Sequence, residues 1–425
     1  MKTPSAAAAL VLAAALLAPA LAAQADSAAL LARARRLHQQ APMVDGHNDL
    51  PWEIRQKGFL DLARLDPDRP HPDLHTDVPR LKAGGVGGVF WAAYVPVETI
   101  GRQPGPARVA LEQIDLIHRM AERSPDLEMA YTAADVERIH REGRVAALIG
   151  IEGGHAIENS LGALRQFHAL GVRYLTLTHT STIDWADAAT DSARHDGLTR
   201  FGEEVVREMN RLGMLVDLSH VSPATMTDAL RVSEAPVIFS HSSVKALADH
   251  PRNVPDDVLR ALKANGGIVM INFYSGFVEP RAAVQARGMY AVQARFRQQF
   301  PNDVEAQRRA FDEWRRQNPV PRGTVATLAD HIDHVVKVAG VDHVGYGSDY
   351  DGVTSLPEGM DDVSRFPLLT AELLRRGYSE ADVRKIIGGN ILRVMRRAEE
   401  VAGRLQRERP PSAALIDVLD GGLVR

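Results

Sequence analysis

Seven side chains that could do chemistry stand at matching places in this 425-residue chain, each at or just beyond the end of a short apolar run. His47 and Asp49 follow the run Ala41–Asp45, and Glu152 ends Val145–Glu152. His179 ends Val172–His179, His220 ends Met214–His220, His241 ends Pro236–His241, and Asp349 ends His343–Asp349. Singly, each has a bland explanation. A histidine at a strand end is commonly a hydrogen-bonded structural residue, and an aspartate there commonly caps the next helix or turn. Seven in the same relative position point instead to one shared cleft. Imidazoles with carboxylates are the donor set of Zn2+ or a similar divalent ion, and with no cysteine in the chain no thiolate competes. The set is large for a single ion. His47-x-Asp49 would chelate one metal, His220 and His241 a second, and Glu152 would bridge with one oxygen on each. Two ions so held would lie roughly 3.5 to 4 Å apart and share a water whose pKa is drawn towards neutrality, which supplies hydroxide at physiological pH.

The elements that must position these residues follow from the same runs. With Val86–Val95 and Gly267–Phe273 there are eight, mostly continuous rather than alternating, as expected of parallel strands covered on both faces. Between them lie stretches of helical period, among them Ala107–Ala121, Leu161–Leu170, Phe201–Leu212, Asp256–Ala264 and Thr327–Ala339. Gly171, Gly213, Gly266 and Gly340 sit just past such stretches, where a left-handed C-cap is needed. Alternating strands and helices in eight units predict an α/β fold of the closed (β/α)8 barrel type, in which all strand C-termini converge on one mouth. The glycines at 84, 85, 87 and 88 read as close packing, not as a phosphate loop. His71, His75, His118, His140, His168 and His195 read as surface or packing residues, and His155 as a group behind the ligands.

The segment from about Ser275 to Arg322 breaks the rhythm: it is rich in Arg and Gln, with helix-forming stretches Ala291–Phe300 and Val304–Arg316, and predicts a helical excursion that would serve as a lid or subunit contact. Two helical stretches follow the eighth run, Leu368–Arg376 and Glu380–Arg397, and a Pro-containing tail begins at Arg409. At the other end, Lys2 precedes an uncharged apolar stretch from Ala6 to Ala23, the pattern of a signal peptide cleaved near residue 23. An exported chain without disulfides predicts a bacterial periplasm, with residues 24–425 forming one catalytic domain and no stable membrane anchor after cleavage. A net charge of -4 argues against nucleic acid or an anionic membrane as partner.

The segments DGHNDLPW, IEGGH, YLTLTHTSTIDWAD, LVDLSHVS, APVIFSHSS with RNVPDD, and GSDYDGV, in that order from about Val44 to Arg393, resemble the membrane dipeptidase (renal dipeptidase) family of binuclear zinc peptidases. The resemblance implies a (β/α)8 barrel with two Zn2+ per subunit, His47 and Asp49 on one, His220 and His241 on the other and Glu152 between. It further implies substrate roles for His179, Arg252 and Asp349, although either Asp349 or Asp351 could face the site; Asp349, directly ending its run, is preferred. Without the resemblance, Arg252 reads as a solvated loop arginine. The implied partners are free dipeptides, L-L and L-D, and a second copy of the chain; the family's C-terminal lipid anchor is not expected of the short tail Ala413 to Arg425, nor disulfide-linked dimers of a chain without cysteine. In the implied reaction Arg252 pairs with the substrate carboxylate, His179 stabilises the oxyanion, Glu152 serves the attacking water, and Asp349 binds the amine or passes a proton to the leaving nitrogen. Rival expectations are a related barrel hydrolase acting on another amide, a lactam or a phosphoester, a non-catalytic periplasmic zinc-binding protein, and an interaction module built on the Arg-rich excursion. Gly46 is expected to turn the chain off the first strand, and Trp52 to pack beside the pocket.

Overall fold

The computed structural model describes residues 26–301 and 303–421; the leader expected over residues 1–23 lies outside them. Nine parallel strands form the sheet: β1 (Met43–Asn48), β2 (Val86–Tyr94), β3 (Leu127–Met129), β4 (Val145–Glu152), β5 (Val172–Thr176), β6 (Leu215–Asp217), β7 (Ile238–Ser242), β8 (Ile268–Ile271) and β9 (Val344–Tyr346). Neighbours run β2-β1-β9-β8-β7-β6-β5-β4, and β4 also pairs with β2 from Gly88 opposite Ala146 to Tyr94 opposite Glu152, which closes an eight-stranded barrel. Every residue of β1, β4 and β7 is buried, which is why these strands do not alternate apolar with exposed polar residues; their polar residues are buried too.

β3 is the strand the sequence does not announce. Only three residues long, it pairs with Val145–Ala147 on the edge of β4 that β5 takes over from Ile149, so it extends the sheet without joining the ring. Outside the ring, helices bury the faces that their 3.6-residue period marks. Helix Arg200–Leu212 turns Phe201, Val205, Val206 and Met209 inward, starts with the Thr199 side chain accepting from Gly202 N, and stops at Gly213 with φ 79°. Gly171, Gly266 and Gly340 likewise take positive φ.

The first strand ends differently from expectation. β1 runs on through His47 to Asn48, so Gly46 lies within the strand rather than at a turn. Its missing side chain serves close approach: a Cβ there would collide with the Ser240 carbonyl and the Met270 thioether on β7 and β8. Gly87 has a similar reason, since a Cβ would meet Pro42.

Beyond β8 the chain forms helices Ser275–Val278, Pro280–Gln299 and Val304–Gln317. The second begins well before the expected Ala291, with Pro280 in its first turn and the Glu279 carboxylate accepting from Arg281 N at 3.4 Å. Among the described residues no helix is long and apolar enough to cross a membrane.

Candidate metal centre

At the C-terminal mouth of the barrel, Glu152 occupies the middle of a ring of imidazoles. Its Oε2 lies 3.7 Å from His47 Nε2, while its Oε1 lies 2.9 Å from His220 Nε2 and 3.3 Å from His241 Nε2. The two carboxylate oxygens thus lie nearest different nitrogens. Asp49 completes the first group, with Oδ2 3.2 Å from His47 Nε2. Asp49 stands at the N-cap position of helix Leu50–Gly58 yet makes no capping hydrogen bond, so its carboxylate is turned into the site.

The outer nitrogens of His47 and His241 are anchored so that the inner ones converge. His47 Nδ1 is 2.8 Å from the Tyr174 hydroxyl, which reaches on to the Gly46 carbonyl at 3.3 Å. His241 Nδ1 is 2.8 Å from Ser240 Oγ, which donates to Asp217 Oδ2 at 2.7 Å. With each Nδ1–H donating outward, both Nε2 atoms present bare lone pairs to the centre. His220 Nε2 lies only 2.9 Å from His241 Nε2, and His47 Nε2 is buried with no hydrogen-bond partner among the described residues. Converging lone pairs and carboxylates form a site that a cation would neutralise.

The electrostatics say the same. Burial, followed by mutual repulsion of the carboxylates, pushes Glu152 and Asp49 well above the ordinary carboxylate range, and burial raises Asp349 to about 7. Burial, followed by the Arg252 charge for His179 and His220 and the neighbouring histidines, holds the His179, His220 and His241 imidazoles well below their usual value and therefore neutral, the form that ligates. The donor atoms fall into three close groups: His47, Glu152 and His241; Glu152, His179 and His220; and His47, Asp49 and Asp349. Two of the three groups share Glu152, and the residues present fit a metal centre.

His179, in the loop after β5, reaches to 3.9 Å of Glu152 Oε1 and lies against His220, ring centres 4.4 Å apart. Asp349 Oδ2 accepts from Asn272 Nδ2 at 2.7 Å, and a Cβ on Gly352 would strike the carboxylates of both Asp349 and Asp49. Asp351 is employed elsewhere: its Oδ1 accepts from His75 N at 2.7 Å, and its own N donates to His75 Nδ1 at 3.0 Å. That pins the loop after β9, in which Asp349 and Asp351 take left-handed φ of 63° and 68°; His220 does likewise at 71°. Non-glycine residues held there are strained and cluster at functional clefts.

Arg252 departs furthest from its bland reading, being 1% exposed rather than solvated. Its guanidinium makes only long hydrogen bonds, 3.4 Å to Ser242 Oγ and 3.3 Å to the His241 carbonyl, and lies 5.2 Å from the Phe277 ring centre. It lines, with Asp49, Glu152, His179, His220 and Asp349, a cavity of about 440 Å3. Trp52 lines the same cavity, edge-on to Tyr94 at 4.8 Å. His155 is buried behind these groups with neither ring nitrogen paired to a described side chain.

Sequence reasoning missed the supports. Asp217 accepts from Ser240 N, Ser240 Oγ, Ser219 N and Thr176 Oγ1, and Asp45 from Ser348 N and Oγ. Both were detectable as ionisable residues belonging to otherwise apolar runs, Asp217 within one and Asp45 at the end of another, a placement that demands several donors. Asn272 and Tyr174 carried no comparable signal.

The model of the membrane dipeptidase family (peptidase family M19) matches residues 31–409. Dipeptidase verJ of Clonostachys rogersoniana is 43% identical over 386 residues, 88% of this chain and 89% of that protein. Among solved structures, the probable dipeptidase PvdM of Pseudomonas aeruginosa superposes with a TM-score of 0.75 at 26% identity, covering 88% of this chain and 99% of that one. A metallopeptidase of Rhodobacter sphaeroides, crystallised with a phosphinate mimic of the dipeptide L-Ala-D-Ala, does so with 0.68 at 26% identity, covering 84% and 99%. Matched along most of its length and carrying a clustered His, Asp and Glu centre at the mouth of its barrel, the chain belongs to the membrane dipeptidase family of metallopeptidases.

Proposed function

We propose that the chain is a zinc-dependent dipeptidase that hydrolyses free dipeptides, L-L and L-D alike, with His47 and Asp49 holding one Zn2+, His220 and His241 the other, and Glu152 shared. The observation that carries this reading is the division of Glu152, Oε2 towards His47 and Oε1 towards His220 and His241, at the floor of a cavity whose wall holds a buried arginine. When bound, the metal pair would supply Lewis-acid polarisation of the scissile carbonyl and water of lowered pKa.

The remaining work falls to side chains. Arg252 presents its fork to the free C-terminal carboxylate of the substrate, which sets how far from the chain end the scissile bond can lie. His179 directs an N–H at the carbonyl oxygen as negative charge develops there. Asp349, fixed by Asn272, binds the free amine or hands a proton to the leaving nitrogen. The phosphinate dipeptide mimic carried by the Rhodobacter sphaeroides relative favours this substrate class, including a D-residue at the C-terminal position. Lys2 followed by the uncharged apolar stretch Ala6–Ala23 favours export to a periplasm.

Protein stripped of metal and reloaded with Zn2+ should cleave L-L and L-D dipeptides and leave tripeptides and phosphotriesters intact. Metal uptake without turnover of any dipeptide would leave a zinc-binding protein in place of a peptidase.

A further inference from the structure

We infer that Tyr290, carried on the excursion helix Pro280–Gln299, donates a second hydrogen bond to the substrate's terminal carboxylate, so that the excursion and Arg252 form a two-sided clamp. The inference rests on the dipeptidase reading above.

Arg252 is buried among aromatic rings drawn largely from the excursion. Its guanidinium faces Phe277 on helix Ser275–Val278, and its backbone N–H donates to His250 Nδ1 at 3.1 Å. The His250 ring lies 4.6 Å from Phe277 and 5.7 Å from Tyr290, so the three rings form a row beside the arginine. Tyr290 lines the same cavity as Arg252, His179 and Asp349, and makes no hydrogen bond among the described residues. Burial raises its pKa, so the phenol keeps its proton; Arg252 and Asp349 are the charged groups that act on it.

A buried guanidinium with no carboxylate partner, held only by hydrogen bonds of 3.3 and 3.4 Å, and a protonated phenol lining the same space are two donors with capacity to spare. A carboxylate has lone pairs enough for both, the arginine taking one edge and the phenol the other. A dipeptide amide has no such charge, and would leave the arginine desolvated and unpaired. Phe277 and Tyr290 thereby join the excursion to chain-end recognition, while the metal-binding residues stay on the barrel.

Tyr290→Phe keeps the ring against His250 and removes only the hydroxyl. In the Zn2+-loaded protein it should raise KM for a dipeptide about 10-fold or more, as loss of a hydrogen bond to a charged group does, with kcat within about 2-fold. Activity on the matching dipeptide amide should not change. A loss no greater for the dipeptide than for its amide overturns the inference, because a merely structural role would affect both. Calorimetry with a phosphinate dipeptide mimic reads the clamp without turnover: affinity should fall about 10-fold in the variant, and unchanged affinity overturns the inference. Wild-type protein that binds the mimic but cleaves no dipeptide would count against the dipeptidase reading alone.

Discussion

The floor of the cavity stands on strands in which every residue is buried, whereas much of its roof stands on two long helices, Pro280–Gln299 and Val304–Gln317, that bury little. His47, Glu152 and His241 belong to β1, β4 and β7, locked by the hydrogen bonds of Tyr174, Ser240 and Asp217 beneath them. Helix Pro280–Gln299 buries only Ala282, Ala283 and Ala286, and Phe311 and Trp314 on helix Val304–Gln317 stack on each other with ring centres 6.1 Å apart. Groups that must share metal ions need fixed separations, which a closed hydrogen-bonded barrel enforces. Groups that must admit and release substrate are better carried by elements with few apolar contacts, since these open at low cost.

Substitutions should separate the two regions. The largest effect expected is that of His179→Ala, on the barrel side: turnover should drop about 100- to 1000-fold, as for loss of an oxyanion donor, with metal content by mass spectrometry unchanged. Equal zinc and equal rate would remove His179 from the chemistry. One layer down, Asp217→Asn breaks the support that orients His241 through Ser240. Zinc affinity in a chelator competition should weaken about 10- to 100-fold. If it does not, the rim histidines hold their positions without the floor.

The smallest effect on activity belongs to His331, which joins the regions. Its Nδ1 accepts from Val244 N at 3.0 Å, and its Nε2 donates to the carbonyl of Val278, in the excursion, at 3.0 Å. Burial lowers its pKa from 6.5 to about 4. The unfolded chain takes up the proton first, so this contribution to stability is complete above 6.5 and is lost as pH falls towards 4. The loss amounts to at most about 3 kcal/mol. Urea unfolding of His331→Gln should show a shallower decline across that window, with turnover at neutral pH little changed. An equally steep decline would mean that other buried histidines, not this link, set the acid sensitivity.

Much of the barrel was legible because parallel strands covered on both faces are rich in continuous apolar residues, and the glycines ending the helices marked their limits. β3 was not legible, because three residues carry no period. The true reach of β1 was not legible either, since Gly46 looks the same whether it serves a turn or a close approach. Candidate ligands were visible as polar residues at run ends. Their supports were equally visible in the letters, but Asp217 sat inside its run, where a strand-end rule does not look, and Asp45, which ends its run, was passed over for His47 and Asp49 just beyond it.

The sequence by itself determined the inventory: which imidazoles and carboxylates exist, their order around the ring and the absence of any thiolate, because residue type and apolar continuity are local properties. Only the tertiary structure decided which oxygen of Glu152 faces which histidine, that Asp349 rather than Asp351 joins the cluster, and that Arg252 is buried beneath aromatic rings. Those outcomes depend on barrel closure and on rotamers packed between segments remote in the chain, and no local pattern encodes such distances.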